Sequence, residues 1–334
     1  MSRSESTGSP RAILVLLLGL LSLSLAASLL CGAVPMEVNE IVKLLFSDDT
    51  SSLRREIIVN IRLPRAIGAA LTGGALALCG VVMQAVVRNP LADPYLMGVS
   101  AGASLGATFY LLMLGGGLAL GLSGLAFLGS LASSALVLGV AIRVKATVYR
   151  MLLAGIAVNV LCSSLSGIMI YLNYDAQQLQ TMVFWLMGSF APANWSMLIW
   201  PVLAVSLGTL FFLAQRRNLN LIMLGDEEAF SLGINPGRYR FLYMGVSALI
   251  TSSCVAHFGM IGFVGIIVPH IIRFLAGGNH RQLVPLACLA GSIFMVWIDV
   301  FARSLAASEV PLSIITGLLG SPFFFWLLLK PERR

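Results

Sequence analysis

Residues 62–114 read RLPRAIGAALTGGALALCGVVMQAVVRNPLADPYLMGVSAGASLGATFYLLML, and this stretch decides the class of fold. It contains two apolar runs, Ala66–Val87 and Tyr95–Leu114, each close to the ~20 residues that an α-helix needs to cross a bilayer. The apolar residues are continuous and do not alternate with polar ones, which argues against a transmembrane β-barrel. The stretch therefore predicts two membrane-spanning helices joined by a short polar link.

The composition of the whole chain agrees with these two spans. Of the 334 residues, 58% are hydrophobic and 10% are charged, and the mean hydropathy is +0.93. Soluble domains carry about 25% charged residues, so a soluble enzyme, a coiled coil and a disordered chain are excluded. The five cysteines lie singly in apolar runs, and no CxxC or HExxH pattern occurs in the sequence. We therefore expect no disulfide framework, no metal site and no cofactor bound by this chain.

Eight further apolar runs raise the predicted number of spans to ten. The sequence therefore predicts an all-α, polytopic membrane protein that forms one transmembrane domain over residues 1–334. The run Val183–Phe190 is too short to cross a bilayer, so we expect it to be interfacial or re-entrant. The predicted spans are Ala12–Ala33, Ala66–Val87, Tyr95–Leu114, Leu118–Ile142, Met151–Leu172, Trp195–Ala214, Phe241–Phe258, Met260–Ala276, Leu283–Phe301 and Pro311–Leu329.

Two long connections, residues 34–60 and 215–240, separate the first span (12–33) from spans two to six (61–214) and spans seven to ten (241–329). Ten spans place both termini on one side of the membrane. If the N-terminus is inside, 15 Lys and Arg residues lie inside and 6 lie outside. The positive-inside rule then predicts cytoplasmic termini, an external 34–60 and a cytoplasmic 215–240. Spans two to five and seven to ten could form an inverted repeat, as in many transporters.

Charged residues inside the predicted spans are sparse, and Asp299 is the clear case. A carboxylate in the membrane is costly, so it is a functional candidate. Arg303 lies one helical turn further on, close enough to pair with it. A structural ion pair and a role in transport both remain open for Asp299.

The fifth span carries Gly155, Asn159, Ser163 and Ser166 at spacings that place them on one helix face. Two interpretations remain open for this face. It is either close helix packing through small residues or a polar wall along a translocation path.

The cytoplasmic stretch Leu219–Arg240 reads LNLIMLGDEEAFSLGINPGRYR. We expect Asp226 to cap a short helix that ends at Gly233, followed by a turn at residues 235–237. This helix would expose Phe230 and Leu232, which indicates a docking surface for a cytoplasmic partner. The sequence contains no GxxxxGK[ST] phosphate loop, so energy from ATP would have to arrive through such a partner.

The motif at residues 62–107 closely resembles the signature of the FecCD family, the permease subunits of type II ABC importers for iron–siderophore complexes, haem and vitamin B12. Further motifs resemble the family in order and spacing along the chain. They are RMLLAGIAVN (150–159), FWLMGSF (184–190), LGDEEAFSLGI (224–234), IGFVGIIVPHIIR (261–273), DVFAR (299–303) and EVPLSIITGLLGSPFFFWLLLK (309–330).

The resemblance implies a multi-pass protein of the bacterial inner membrane, surrounded by lipid, that is not itself an enzyme. Its expected partners are a second permease copy, two ATPase subunits that bind ATP and Mg²⁺, and a substrate-binding protein; no nucleic-acid partner is expected. The expected cargo is a metal chelate, first an iron–siderophore complex and alternatively haem or cobalamin, moved by alternating access. A self-sufficient secondary carrier and an intramembrane enzyme are the rival classes, and the absence of catalytic pairs in the sequence disfavours the enzyme.

The resemblance also implies roles for particular residues. It places three arginines opposite carboxylates of the binding protein, although arginines that only anchor in the membrane interface would give the same pattern. The docking residues are Arg62, Arg65 and Arg303; the ATPase-coupling residues are Leu224, Gly225, Asp226, Glu227, Glu228, Ala229 and Gly233; the cytoplasmic gate is Thr147, Val148 and Tyr149.

Overall fold

The computed structural model describes residues 9–32, 34, 36–46, 53–115, 120–143, 148–306 and 308–329, and within these ranges the secondary structure is helical, without strands. The α-helices are α1 (Pro10–Leu30), α2 (Val38–Phe46), α3 (Leu53–Glu56), α4 (Leu63–Val87), α5 (Val99–Thr108), α6 (Gly121–Arg143), α7 (Val148–Leu172), α8 (Ala176–Leu186), α9 (Trp195–Ala214), α10 (Arg216–Leu224), α11 (Asp226–Ser231), α12 (Pro236–Phe258), α13 (Val264–Ala276), α14 (His280–Ala302) and α15 (Leu312–Leu329).

The predicted all-α membrane class is confirmed. Seven helices of the described chain are long and apolar enough to cross a membrane, and three shorter apolar helices, α5 with its π-helical end, α13 and α15, occupy the remaining predicted positions. The short helices α5 and α13 hold corresponding places in the two sets of spans that the predicted repeat would relate. The inverted repeat and the side on which the termini lie stay predictions.

Several predicted boundaries were wrong. The second span is part of a continuous helical rod over Leu53–Val87, with a π-helical stretch at Ile57–Arg62. The seventh span begins at Pro236, because the side chain of Asn235 accepts a hydrogen bond from the Arg238 amide and caps the helix where a free turn was expected.

The predicted interfacial run also has different limits. It is the helix α8, Ala176–Leu186, which begins at an N-cap formed by Asp175 and ends before Phe190. Phe190 is fully buried and packs edge-on against Phe258.

Helix α4 is the centre of the bundle and packs most extensively on α14. The two backbones approach very closely, since a Cβ added at Gly73 would lie 2.0 Å from the carbonyl oxygen of Gly291. Within a membrane the hydrophobic effect does not drive helices together, so van der Waals contact between small residues supplies this packing. In this arrangement 83% of the apolar stretch of the Leu53–Val87 helix is buried within the protein, whereas only 17% of the N-terminal span is buried.

Two segments outside the α-helices precede the short helices α5 and α13: residues 88–98, which include a 3₁₀ turn at Pro94–Met97, and residues 259–263. They meet where the Tyr95 hydroxyl accepts from the Ile261 amide and donates to the Ile261 carbonyl, both at 3.0 Å. Non-helical backbone is tolerated at membrane depth only where protein groups satisfy it. The Tyr95 hydroxyl therefore satisfies both the backbone N–H and the backbone C=O of Ile261.

Two clusters of charged side chains lie at opposite ends of α4. The Asp226 end contains Arg88, at the C-terminus of α4, and Arg240, in the first turns of α12. The Asp299 end contains Arg65, near the N-terminus of α4, and other groups described below.

Candidate functional site

The short helix α11 lies at the Asp226 end between two glycines whose backbone conformations other residues rarely adopt. Gly225 has φ +142° and Gly233 has φ +87°. The Gly233 amide donates to the Phe230 carbonyl, and the Ile234 amide donates to the Ala229 carbonyl, which closes the helix. The predicted short helix and its glycine C-terminus are therefore confirmed.

The predicted role of Asp226 as the cap of this helix is wrong. The N-cap is Gly225, and no side chain caps the helix. The Asp226 carboxylate instead accepts hydrogen bonds from Arg240 Nη1 (2.7 Å) and Nη2 (2.5 Å) and from Arg88 Nη2 (2.7 Å). The hydrogen bonds from Arg240 hold the pKa of Asp226 below its ordinary value of 3.8, and the charge of Arg88 acts in the same direction.

Large apolar side chains of this region are exposed on the surface of the protein. Leu224, Phe230 and Leu232 are 54%, 69% and 55% exposed, whereas Ala229 is fully buried against the bundle. Glu227 and Glu228 are also exposed. An exposed set of large apolar side chains outside the spans is the kind of surface that another protein covers.

The segment 215–240 is tied to the spans on its other side as well. The Asn220 side chain accepts from the His280 amide and donates to Asn279, at the N-terminus of α14. Leu219 and Ile222 of α10 are fully buried. Helix α10 is thus fixed to the bundle by packing, while α11 buries a single residue, Ala229.

On α7 the predicted polar face is divided between two environments. Gly155 packs so closely that an added Cβ would lie 2.0 Å from the Leu96 carbonyl oxygen, and Ser166 is buried. Asn159 is half-buried and Ser163 is exposed. The packing interpretation therefore holds at Gly155, and the translocation-path interpretation stays a prediction for Asn159, Ser163 and Ser166.

The predicted gate lies at the start of α7. Thr147 is outside the described residues. Val148 is the first residue of the helix, and Tyr149 is 69% exposed. A gating role for these residues stays a prediction.

The three arginines predicted to face a binding protein are largely buried at the Asp299 end, and their docking role stays a prediction. Arg62 is 5% exposed, Arg65 is 7% exposed, and the side chain of Arg303 is 8% exposed. Arg62 donates to the carbonyls of Leu29, at 2.6 Å, Leu30 and Val34. Arg303 donates to the carbonyls of Cys31 (2.8 Å) and Ser28 (2.9 Å).

Arg62 and Arg303 therefore satisfy backbone carbonyls at the C-terminal end of α1 and just beyond it. The last carbonyls of a helix have no partner within the helix, and cationic side chains there also complement the helix dipole. Both side chains consequently have a structural task that no local sequence pattern indicated.

Arg65 is the centre of an ion cluster. It contacts Asp299, which is fully buried, through Nε (2.9 Å) and Nη2 (2.8 Å), and Glu309 through Nη1 (2.6 Å) and Nη2 (3.0 Å). The predicted pairing of Asp299 with Arg303 is present at 3.4 Å, but it is the longer contact. A buried carboxylate requires such partners, so the geometry favours the structural interpretation of Asp299.

Three members of these clusters, Arg88, Arg240 and Glu309, were not predicted from the sequence. A carboxylate near a short helix bounded by glycines is visible in the sequence, but nothing there distinguishes the arginines that bind it from the other arginines. Among the described residues, no group of three or more His, Cys, Asp and Glu side chains could hold a metal ion.

Comparison with known proteins identifies the family. Residues 20–330 match the model described as the FecCD transport family. The chain is 40% identical over 331 residues to the hemin transport system permease protein HmuU of Yersinia pestis, covering 97% of each chain. It is 40% identical over 292 residues to the vitamin B12 import system permease protein BtuC of Salmonella schwarzengrund, covering 85% of this chain and 87% of the relative.

Two further proteins extend this comparison. The molybdate import system permease protein MolB of Haemophilus influenzae is 34% identical over 320 residues, covering 94% of each chain. A solved structure of a proposed metal-chelate type ABC transporter, in an inward-facing conformation, superposes with a TM-score of 0.87 at 34% identity and covers 96% of this chain and all of the other. With ten apolar helices among its described residues and full-length similarity to permeases, this chain is a multi-pass membrane protein that belongs to the FecCD transport family.

Proposed function

We propose that this chain is the permease subunit of an ATP-driven importer in the cytoplasmic membrane. The observation that carries the proposal is the similarity to import permeases over nearly the full length of both chains. The exposed apolar residues Phe230 and Leu232 support it, because a permease that does not bind ATP needs a surface on which an ATPase docks. ATP and Mg²⁺ would be bound by that partner, and this chain would perform no bond chemistry.

The complete importer would contain two permease copies, two ATPase subunits beneath them and a substrate-binding protein on the outer side. The strongly exposed apolar faces of α7 and α9 are compatible with contact to lipid or to a second copy. Transport would proceed by alternating access, with Asn159, Ser163 and Ser166 along the path and Val148 and Tyr149 near the inner gate.

We propose a metal chelate as the cargo, with an iron–siderophore complex as the first candidate. Haem is the second candidate, since the hemin permease of Yersinia pestis matches 97% of this chain. Cobalamin is the third candidate for the same reason, over a shorter match. These cargoes share a metal held within an organic ligand, so the permease would carry the complete complex.

The test is uptake into proteoliposomes that contain this chain, its ATPase and its binding protein. A ferric hydroxamate siderophore, hemin and cobalamin would be supplied in turn, each with and without internal ATP. Uptake of one of them only with ATP and the ATPase supports the proposal. Uptake driven by an ion gradient without the ATPase would overturn it and establish a secondary carrier.

The path is tested by cysteine labelling from the aqueous side. A cysteine at position 163 should react with a membrane-impermeant reagent in one nucleotide state and be protected in another, and Asn159→Leu should slow uptake without releasing the ATPase. No labelling of position 163 in any nucleotide state would leave this face of α7 as a packing or lipid surface.

A further inference from the structure

Helix α11 packs little against the bundle, although in the proposed importer it would receive force from the ATPase. It buries one residue, Ala229, and is bounded by Gly225 and Gly233, both at positive φ. Glycine joints do little to restrict the direction of a helix. Its neighbours α10 and α12, in contrast, bury large apolar side chains in the bundle. The contacts that orient α11 must therefore come largely from its side chains.

Asp226, the first residue of α11, supplies these contacts. One carboxylate oxygen accepts from Arg88, which ends α4, and both oxygens accept from Arg240, which belongs to α12. A single side chain thus joins three helices. One of them, α4, is the helix around which the bundle packs.

Arg240 makes this link rigid. Its side chain is 3% exposed, and its Nε also donates to the Val86 carbonyl in the last turn of α4 at 3.2 Å. A buried guanidinium needs a carboxylate partner, and a bidentate pair fixes the direction as well as the distance. Among the described contacts, Asp226 is the carboxylate that Arg240 has.

We propose, on the basis of the proposed function, that Asp226 is a positioning residue that transmits displacement of α11 to α4 and α12. It acts inward, on its own chain, and does not serve as a contact for the ATPase. The Asp226 side chain is half-exposed, but both of its oxygens accept hydrogen bonds from Arg88 and Arg240, whereas Phe230 and Leu232 are exposed and apolar. Docking and transmission would thus be divided between different residues of one short helix.

The experiment compares four variants in the reconstituted importer. Asp226→Asn removes the charge at constant size, and Asp226→Glu keeps the charge on a longer side chain. The double variant Asp226→Asn with Arg240→Met removes the clamp without leaving a buried charge unpaired. Arg238→Met is the matched control, because Arg238 is an exposed arginine in the same part of α12.

Three quantities are measured for each variant: the ATPase subunit that copurifies, the basal ATPase activity, and the uptake of radioactive hemin or ferric siderophore per ATP hydrolysed. We expect Asp226→Asn to keep the first two and to lower uptake per ATP about fivefold or more, the lower end of common coupling between distant sites. The double variant should show the same loss but unfold at a higher temperature than Asp226→Asn. Asp226→Glu should recover part of the coupling, and Arg238→Met should resemble the unaltered protein.

Three results would overturn the inference alone: unchanged uptake per ATP in Asp226→Asn, loss of the copurifying ATPase, or full coupling in the double variant. The second would make Asp226 a docking contact, and the third would reduce its role to neutralising Arg240. If the unaltered importer shows no ATP-dependent uptake, the proposed function fails, and the inference fails with it.

Discussion

Arg65 and Asp299 lie 234 residues apart in the chain and form an ion pair closed to solvent, in which Nε of Arg65 donates to both carboxylate oxygens at 2.9 and 3.2 Å. The pair joins α4 to α14, the two helices with the most extensive contact in the bundle. Asp299 is therefore satisfied within the protein, at the end of the bundle opposite Asp226.

Arg65→Met should destabilise the protein by about 3 kcal/mol or more, because it leaves the buried charge of Asp299 without its nearest partner. The matched control is Arg54→Met. Arg54 pairs with Glu40 in a solvent-exposed bridge that is worth less than about 1 kcal/mol. Thermal unfolding of the detergent-solubilised protein would measure both changes. Similar midpoints for the two variants would contradict the structural importance of the Arg65–Asp299 pair.

Glu309→Gln separates the docking role of Arg65 from its structural role. Glu309 is the exposed member of the cluster, with 43% of its side chain accessible, and it occupies two of the nitrogens of Arg65. If Arg65 meets a carboxylate of the binding protein, Glu309 competes with that carboxylate. The substitution should then strengthen docking about tenfold, equal to ~1.4 kcal/mol.

Surface capture of the binding protein at low and high salt would measure this effect. Glu56→Gln is the control, since it removes an exposed carboxylate of the same predicted outer region. Unchanged affinity in Glu309→Gln would indicate that Arg65 has only its structural role at the Asp299 end.

Gly233→Pro should uncouple the importer while the protein remains in the membrane. Gly233 has φ +87°, which proline cannot adopt, and its amide donates to Phe230. Stimulation of the ATPase by loaded binding protein should disappear. In the control, Gly237→Ala, the new Cβ lies 3.5 Å from the nearest atom in an ordinary helical conformation, so stimulation should persist. Normal stimulation in Gly233→Pro would remove α11 from the coupling pathway.

Gly73→Ala should lower the stability by about 1–3 kcal/mol, the usual range for overpacking. The added methyl group would lie 2.0 Å from the Gly291 carbonyl oxygen, so α4 and α14 would have to separate. Gly139→Ala is the control on α6, where nothing lies within 4 Å, and the better helix propensity of alanine should leave stability unchanged or slightly raised. Equal thermal midpoints for both variants would refute the close contact of α4 with α14.

Acid should loosen α11 through Asp226. The pKa of this carboxyl is lowered in the folded protein, so its pairing contributes stability that is complete above the ordinary pKa of 3.8 and is lost as the pH falls through the lowered value. Hydrogen exchange of residues 226–234 should therefore accelerate, beyond its intrinsic pH dependence, as the pH falls below the ordinary pKa of 3.8. Asp226→Asn should show no such transition. An identical profile in that variant would assign the change to another group.

Much of the candidate site at the Asp226 end is predictable from local sequence. One such feature is the short helix that ends at Gly233, because the C-terminus of a helix depends on a glycine at positive φ and on the few residues before it. Exposure of Phe230 and Leu232 is another, since the segment lies outside the spans. The cap predicted for Asp226 was wrong because distant arginines, Arg88 and Arg240, compete for the same carboxylate.

The sequence by itself determined the class of protein, the ten apolar helices and the family, because hydropathy and helix length depend on consecutive residues. Only the tertiary structure decided which charges meet. Arg65 contacts Asp299 and Glu309, which lie 234 and 244 residues away in the chain, and Gly73 packs against Gly291. These contacts form only when the helices pack together. An arginine at a helix end has the same local sequence whether it faces a partner or its own bundle, so its direction depends on the neighbours that folding brings to it.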